Sequence, residues 1–415
     1  MDVAAEDGRD ERTSPGSLPV TDGRRVPTGP ERTDPTTTDP TTTDRPTRSG
    51  PLRALALAWP ALLGYAAVRA VGLVVLGIWA EARGLSFDAL LTDRYDSRWY
   101  LQIATLGYDR AENLHSNMAF FPLYPGLVAF FGDSWAMDLR QAAITVSWVA
   151  ALAAAWGLFA IGNHLQDRRT GVLLAVLWGV VPHAVVENLA YTEAIFTAFA
   201  AWALYAVLTE RWLTAGVLCL IGGLTRPTAS SLVAVVGLAA LVALIRRRGP
   251  WWRPLVAMLL APLGWLAFVA WVADRTGRAD GWFLIQGKGW NSSFDGGAFT
   301  WSRTGDVLDH PSRLAHYLVV LVLLTALTLF VLSIMDRQPW PLLLYSGLLL
   351  VTTIGAAGYY HSKGRFLLPA FALLLPVAGA LAGARRGRAY PVLILLTAIS
   401  AYCGGYLMLV WTSSP

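Results

Sequence analysis

From Leu52 to its end, the chain is a succession of apolar runs close to twenty residues long, separated by short polar junctions. A bilayer core takes roughly 20 apolar residues per helix. A transmembrane β-barrel would instead show alternating segments of about ten residues. The pattern therefore predicts an all-α polytopic membrane protein. Its expected spans are 54–80, 141–162, 171–183, 192–209, 212–225, 228–245, 254–274, 316–335, 339–357, 366–384 and 389–411, about eleven transmembrane helices. Segments 171–183 and 212–225 are short for a full span and fit broken or tilted helices inside the bundle.

Arginines punctuate the runs. Arg168 and Arg169, Arg246 to Arg248 with Arg253, Arg337, and Arg385, Arg386 and Arg388 read as cytosolic turns under the positive-inside rule. That puts the N-terminus in the cytosol and the C-terminus outside a multi-pass cell-membrane protein. Residues 118–132 (MAFFPLYPGLVAFFG) are apolar enough to cross, but Pro122 and Pro125 disfavour a regular helix. A re-entrant or interfacial helix there keeps the basic turns on one side. Two large outer loops result, at about 81–140 and 275–315, which suggests a site built on one face. No internal repeat is evident, which weakens a secondary-transporter reading.

Composition agrees, since 55% of residues are hydrophobic and only 15% charged, too greasy for an ordinary soluble enzyme. Residues 1–50 differ: they lack aromatics, are rich in Thr, Pro, Asp and Arg, and contain TDPTTTDPTTTD. Such a segment cannot bury enough apolar surface to offset chain entropy, so a disordered cytosolic tail is expected ahead of a membrane domain over 51–415. The formal charge of +5 does not point to nucleic acid, because its arginines gather at helix ends. Cys219 and Cys403 both fall inside apolar runs and read as small buried hydrophobes.

The chemistry concentrates in Asp93 to Pro125 (DRYDSRWYLQIATLGYDRAENLHSNMAFFPLYP). On a helix, Asp96, Trp99, Tyr100 and Ile103 share one face, the pattern of an interfacial helix with a carboxylate beside aromatics. Spacing alone favours a juxtamembrane anchor whose solvated acids pair with Arg94 and Arg98. Glu187, Glu193, Arg226 and Arg365 lie at or near apolar segments, where an ionised side chain is costly unless paired or functional. Glu193 and Arg226 could pair to fix helix registry. Lys363 and Arg365 could bind phosphate oxygens or act as snorkelling anchors. Lys288 sits in a Gly-flanked segment, FLIQGKGWNSSFDGG, that is no nucleotide P-loop. His183, His310, His316 and His361 are scattered without metal-ligand spacing, so no metal and no cofactor is expected. Asp306, Asp309 and His310 (DVLDH) read as the lead-in of the helix near 316.

DRYDSRWYLQIATLGYD followed by NMAFFPLYP resembles the first outer-loop signature of the PIG-V-type (GPI mannosyltransferase 2-like) membrane mannosyltransferases of the GT-C class, in their bacterial, actinobacterial-like branch. Tyr95 stands where that family often has Trp before the Asp. AVVENLAYTEAIF, with Tyr191, Glu193 and Phe196, GGLTRPTA, with Arg226, and YYHSKGRFLLPAF, with Lys363, Arg365 and Phe366, are similar to three further family segments.

The resemblance implies Asp96 as the catalytic base, with Asp93 the neighbouring candidate. Arg365 and Lys363 would hold the donor phosphate. Tyr95, Trp99, Tyr100, Glu193, Arg226 and His361 would shape the sugar or acceptor pocket. It further implies an inverting transferase that moves mannose from a polyprenyl-phosphate donor to a glycolipid, glycan or protein acceptor on the outer face of the bilayer. A transporter or flippase for a lipid-linked or polar solute is the competing class. A non-catalytic subunit of an envelope-synthesis complex is a third.

Overall fold

Helix length decides which apolar runs can cross a bilayer alone. The computed structural model describes residues 50–109, 115–135, 137–247 and 249–415. The expectation of a disordered tail falls on residues outside these. The described residues are all-α apart from one two-residue antiparallel bridge.

The helices, in chain order, are α1 (Pro51–Glu81), α2 (Phe87–Thr92), α3 (Asp96–Leu106), α4 (Leu123–Trp135), α5 (Leu139–Leu165), α6 (Arg168–Trp178), α7 (Glu193–Leu208), α8 (Trp212–Gly222) and α9 (Ala229–Ile245). They continue as α10 (Trp252–Leu260), α11 (Leu263–Thr276), α12 (Gly281–Leu284), α13 (Ala298–Asp309), α14 (Leu314–Met335), α15 (Trp340–Gly355), α16 (Lys363–Phe366), α17 (Leu375–Gly383) and α18 (Arg386–Leu409).

Every apolar run foreseen as a span contains helix, but the count of eleven is not reproduced. Among the described residues five stretches are long and apolar enough to cross a membrane: Arg53–Glu81, Leu139–Leu165, Trp252–Thr276, Leu314–Met335 and Arg386–Leu409. A sixth is added if Tyr360–Phe366 and Phe371–Gly383, bent by 74°, count together. α7, α8, α9 and α15 stop at 16, 11, 17 and 16 residues. At about 1.5 Å per residue, an eleven-residue helix reaches only ~17 Å of a ~30 Å hydrocarbon core. Apolar composition marks these segments as buried in lipid or protein; length is what it overstates.

Residues 118–132 do not form a full span either. A short 3₁₀ turn, Asn117–Ala119, leads into α4, whose 13 residues begin just after Pro122. DVLDH lies within and at the end of α13, not as the lead-in of α14.

α5 is central, packing on α1, α4, α6 and α7, while α8 packs on α7, α9 and α10. Small residues make the closest approaches. A Cβ on Gly162 of α5 would stand 2.7 Å from the Cα of Gly171 on α6, and one on Gly216 of α8 would stand 2.7 Å from the Cα of Ala257 on α10. In lipid, where helices gain little hydrophobic drive toward one another, such backbone approach supplies the packing energy.

α1 and α18 run side by side in the same direction. Arg83, just past α1, donates to the Leu409 carbonyl (2.8 Å), and Arg94 donates to that of Met408 (2.7 Å). The C-terminal end of α18 therefore meets the α2–α3 region. Its 24 residues place Arg386 about 36 Å away along the axis, at the other end of the bundle.

Candidate active site

Ser86 caps α2, its hydroxyl accepting from the Ala89 N–H. α3 starts abruptly at Asp96 because Tyr95 takes a positive φ of 54°, a strained setting for a bulky residue. The Asp96 N–H donates to the Tyr191 hydroxyl (3.3 Å), and the carboxylate stands in the first turn, where the helix dipole favours an anion.

A cavity of about 490 Å³ opens beside this turn. Its walls come from α3, the Ala119–Phe121 turn, the start of α7, the Thr225–Thr228 turn, residues 282–294 and the α15–α16 region. Four charged side chains reach it in alternating sign. Arg365 Nη1 is 2.7 Å from Asp96 Oδ2 and 3.8 Å from Glu193 Oε1, and Arg226 Nη1 is 2.9 Å from the same Glu193 oxygen. The Arg365 guanidinium also lies over the Tyr191 and Phe366 rings, each centroid 5.1 Å away.

Access separates the two acids. The Asp96 side chain is 25% exposed and that of Glu193 only 2%, so Asp96 is the carboxylate an incoming group can meet. Tyr100 lines the same wall, with its hydroxyl 3.1 Å from Thr192 Oγ1. Burial, with Asp96 and then Glu193 adding to it, pushes the Tyr100 phenol well above its ordinary range, so it stays neutral.

The stretch between α11 and α13 closes the other side. Gln286 Nε2 donates to the Ala119 carbonyl (3.1 Å) and Trp290 Nε1 to that of Ser116 (3.0 Å). His115 stacks on Trp290 at 4.2 Å, and Trp99 packs on both Phe120 and Trp290. Ser293–Phe294 pairs antiparallel with Ala356–Ala357, clasping the loop to the end of α15. Asp295 caps α13 through the Phe299 and Gly297 N–H groups, which hold its carboxyl below the usual range.

Sequence reasoning foresaw Asp96, Tyr100, Glu193, Arg226 and Arg365, and the fold brings all five together. The other expected site residues lie elsewhere. Lys363 is fully buried and donates through Nζ to the carbonyls of Thr353 and Ala356, both 2.7 Å away, closing the C-terminal end of α15. It does not line the cavity. Tyr95 directs its hydroxyl to the Trp411 carbonyl (3.4 Å), and His361 packs against Trp411 (5.6 Å). Trp99 stands behind Phe120 and Trp290 rather than on the cavity wall. Asp93 pairs with Arg140 (2.8 Å) in a separate shallow groove.

Reasoning from sequence missed Thr225, Thr228, Gln286, Trp290 and Phe294 as wall residues. Two quoted segments carried a signal: GGLTRPTA holds Thr225 and Thr228, and the glycine-flanked FLIQGKGWNSSFDGG holds Gln286, Trp290 and Phe294. Among the described residues no group of three or more His, Cys, Asp or Glu side chains could hold a metal ion.

A second buried charged group lies apart from this cavity. Tyr65 donates to Glu187 Oε2 (2.8 Å), Arg69 Nε stands 3.9 Å from the same oxygen, and Arg69 also donates to Asn188 Oδ1 (2.7 Å) and the Gly179 carbonyl (3.1 Å).

No protein-family model matches the chain, and no curated protein does. Among solved structures the chain is similar to ArnT from Cupriavidus metallidurans, determined bound to undecaprenyl phosphate. The TM-score is 0.48 at 13% identity, over 84% of this chain. The chain spans 63% of that protein's length.

Proposed function

We propose that the chain is a membrane glycosyltransferase of the GT-C class that transfers a sugar from a polyprenyl phosphate to an acceptor hydroxyl with inversion. The observation that carries this reading is Asp96: of the two ion-paired acids lining the cavity, its side chain is the more exposed, 25% against 2% for Glu193, while an arginine fixes its direction. The motif resemblance adds mannose as the sugar, a PIG-V-type relationship and a site on the extracytoplasmic face.

The chemistry asks little else of the protein. The acceptor oxygen attacks the anomeric carbon, its proton passes to Asp96, and the bond from that carbon to the phosphate oxygen breaks. The electron pair leaves on the lipid phosphate, a competent leaving group that needs cations rather than a strong acid. Arg365 and Arg226 fill that role better than Lys363, whose ammonium is spent on backbone carbonyls. A β-linked mannosyl phosphate would give an α-mannoside.

The test is Asp96→Asn in the purified full chain, supplied with labelled polyprenyl-phosphate mannose and a membrane lipid extract as acceptor. Turnover should fall roughly 10²–10⁴-fold, the usual worth of general-base catalysis. Retained turnover removes Asp96 as the base.

A further inference from the structure

A larger cavity, about 990 Å³, lies on the flank of the bundle between α1, α6 and α18. Gly64 lets α1 close on α6, a Cβ there standing 2.7 Å from Val176 Cγ2, while Ala67, Ala389 and Ala398 are small wall residues and the remaining walls are mainly valine, leucine and isoleucine. One end carries Arg168, Arg169 and Arg386, delivered by the N-termini of two different helices.

These arginines sit at the end of α18 remote from Asp96. Two of them are held in place. Arg168 Nε donates to the Leu57 carbonyl, and Arg169 uses two nitrogens on the carbonyls of Ala382 and Ala384. Arg386 is exposed and has no partner among the described residues. Asp167, adjacent to Arg168 in the chain, caps α6 by accepting from the Thr170 N–H (2.7 Å) and does not line the groove.

We infer that this groove is a binding site for an anionic phospholipid, with its phosphate among the arginines and an acyl chain along the helices. Depth supports the match. From Arg386 to Ala398 α18 rises about 18 Å, and half of a ~30 Å hydrocarbon core is ~15 Å. The groove thus reaches from a headgroup level to the depth of one leaflet. Basic pockets between transmembrane helices are the arrangement that selects anionic headgroups. Arginines serving topology alone would need no apolar slot behind them.

The experiment is native mass spectrometry of the full chain released from nanodiscs of phosphatidylcholine and phosphatidylglycerol with identical acyl chains. The wild type should retain phosphatidylglycerol preferentially. In the double variant Arg168→Gln/Arg386→Gln the preference should drop by more than tenfold, taking ~1 kcal/mol per arginine near the surface as about fivefold each. Ala398→Phe, which fills the slot, should abolish retention while leaving the arginines in place. Arg385→Gln/Arg388→Gln removes two charges from the same end outside the groove and should leave the preference intact. An equal loss in that control would assign the effect to a generally basic face and overturn the site. So would full retention in either groove variant.

Discussion

Two buried glutamates six positions apart, Glu187 and Glu193, illustrate two uses of charge inside a helix bundle. Both meet an arginine, and both are almost wholly buried. Glu187 is sealed by Tyr65 and Arg69, the Tyr65 ring itself stacked on Trp178 at 5.4 Å, and it lines neither the Asp96 cavity nor the groove between α1, α6 and α18. Glu193 belongs to a chain of pairs that ends on Asp96 at an open cavity. An ionisable residue in a membrane segment is by default a candidate for function. Here access, not burial or pairing, separates the pin from the site.

Asp96→Asn is the strongest way to test that separation. Activity should collapse as stated above, yet the fold should hold. Asp96 is part-exposed, and Arg365 keeps Glu193 at 3.8 Å as a second counter-charge. Unfolding by SDS in mixed detergent micelles should therefore shift little. A large shift would move Asp96 into the same class as Glu187.

Glu187→Ala should do the reverse. Removing one partner of a buried pair typically costs about 3–5 kcal/mol, because the other charge is left behind. Arg69 keeps Asn188 and the Gly179 carbonyl, so about 3 kcal/mol is expected here, read from the same SDS titration. Whatever fraction folds should turn over normally. Glu187→Gln, which still accepts from Tyr65, should recover most of the loss. A folded Glu187→Ala protein without activity would break the distinction.

The sequence made the helices and the aspartate visible for different reasons. Apolar runs mark helices because, of the two structures that span lipid, only the helix needs an unbroken apolar stretch, but they do not report length. α8 is eleven residues long inside a stretch that reads as longer. Asp93 and Asp96 could not be ranked by spacing, since both stand at the start of one helical face. What decides is that Tyr95 turns the chain so that α3 begins at Asp96, while Arg140, far along the chain, takes up Asp93. Glu187 and Glu193 were equally indistinct, because sequence shows charge in an apolar setting and not whether a void adjoins it. The wall from Gln286 to Phe294 was hidden for another reason. Its residues are ordinary loop aromatics and amides, and only docking on Ser116 and Ala119 gives them a role.

Lys363 and Arg365 sharpen the comparison on a smaller scale. Two residues apart on one short helix, they point to opposite duties: one ammonium closes the carbonyl end of α15, and one guanidinium faces the cavity. Lys363→Met should leave two carbonyls without their charged donor and cost about 1–3 kcal/mol of stability. Its KM for the lipid donor should equal the wild-type value. A raised KM with unchanged stability would instead return Lys363 to the donor phosphate.

The smallest expected effect lies at Tyr191, which touches the site through its hydroxyl and its ring in separate ways. The hydroxyl accepts from the Asp96 N–H (3.3 Å) and lies 3.3 Å from Ser414 Oγ, while the ring lies under the Arg365 guanidinium. Tyr191→Phe removes the first contact and keeps the second. One net hydrogen bond is worth about 1 kcal/mol, so kcat should fall no more than about fivefold. Tyr191→Leu removes the cation–π contact as well and should cost a further ~1 kcal/mol at this buried position. If the Phe variant lost as much as the Leu variant, the hydroxyl that steadies the first turn of α3 would be the element that sets the direction of Asp96. If only the Leu variant lost activity, that direction would be set from the arginine side, through the ring that holds Arg365 in place.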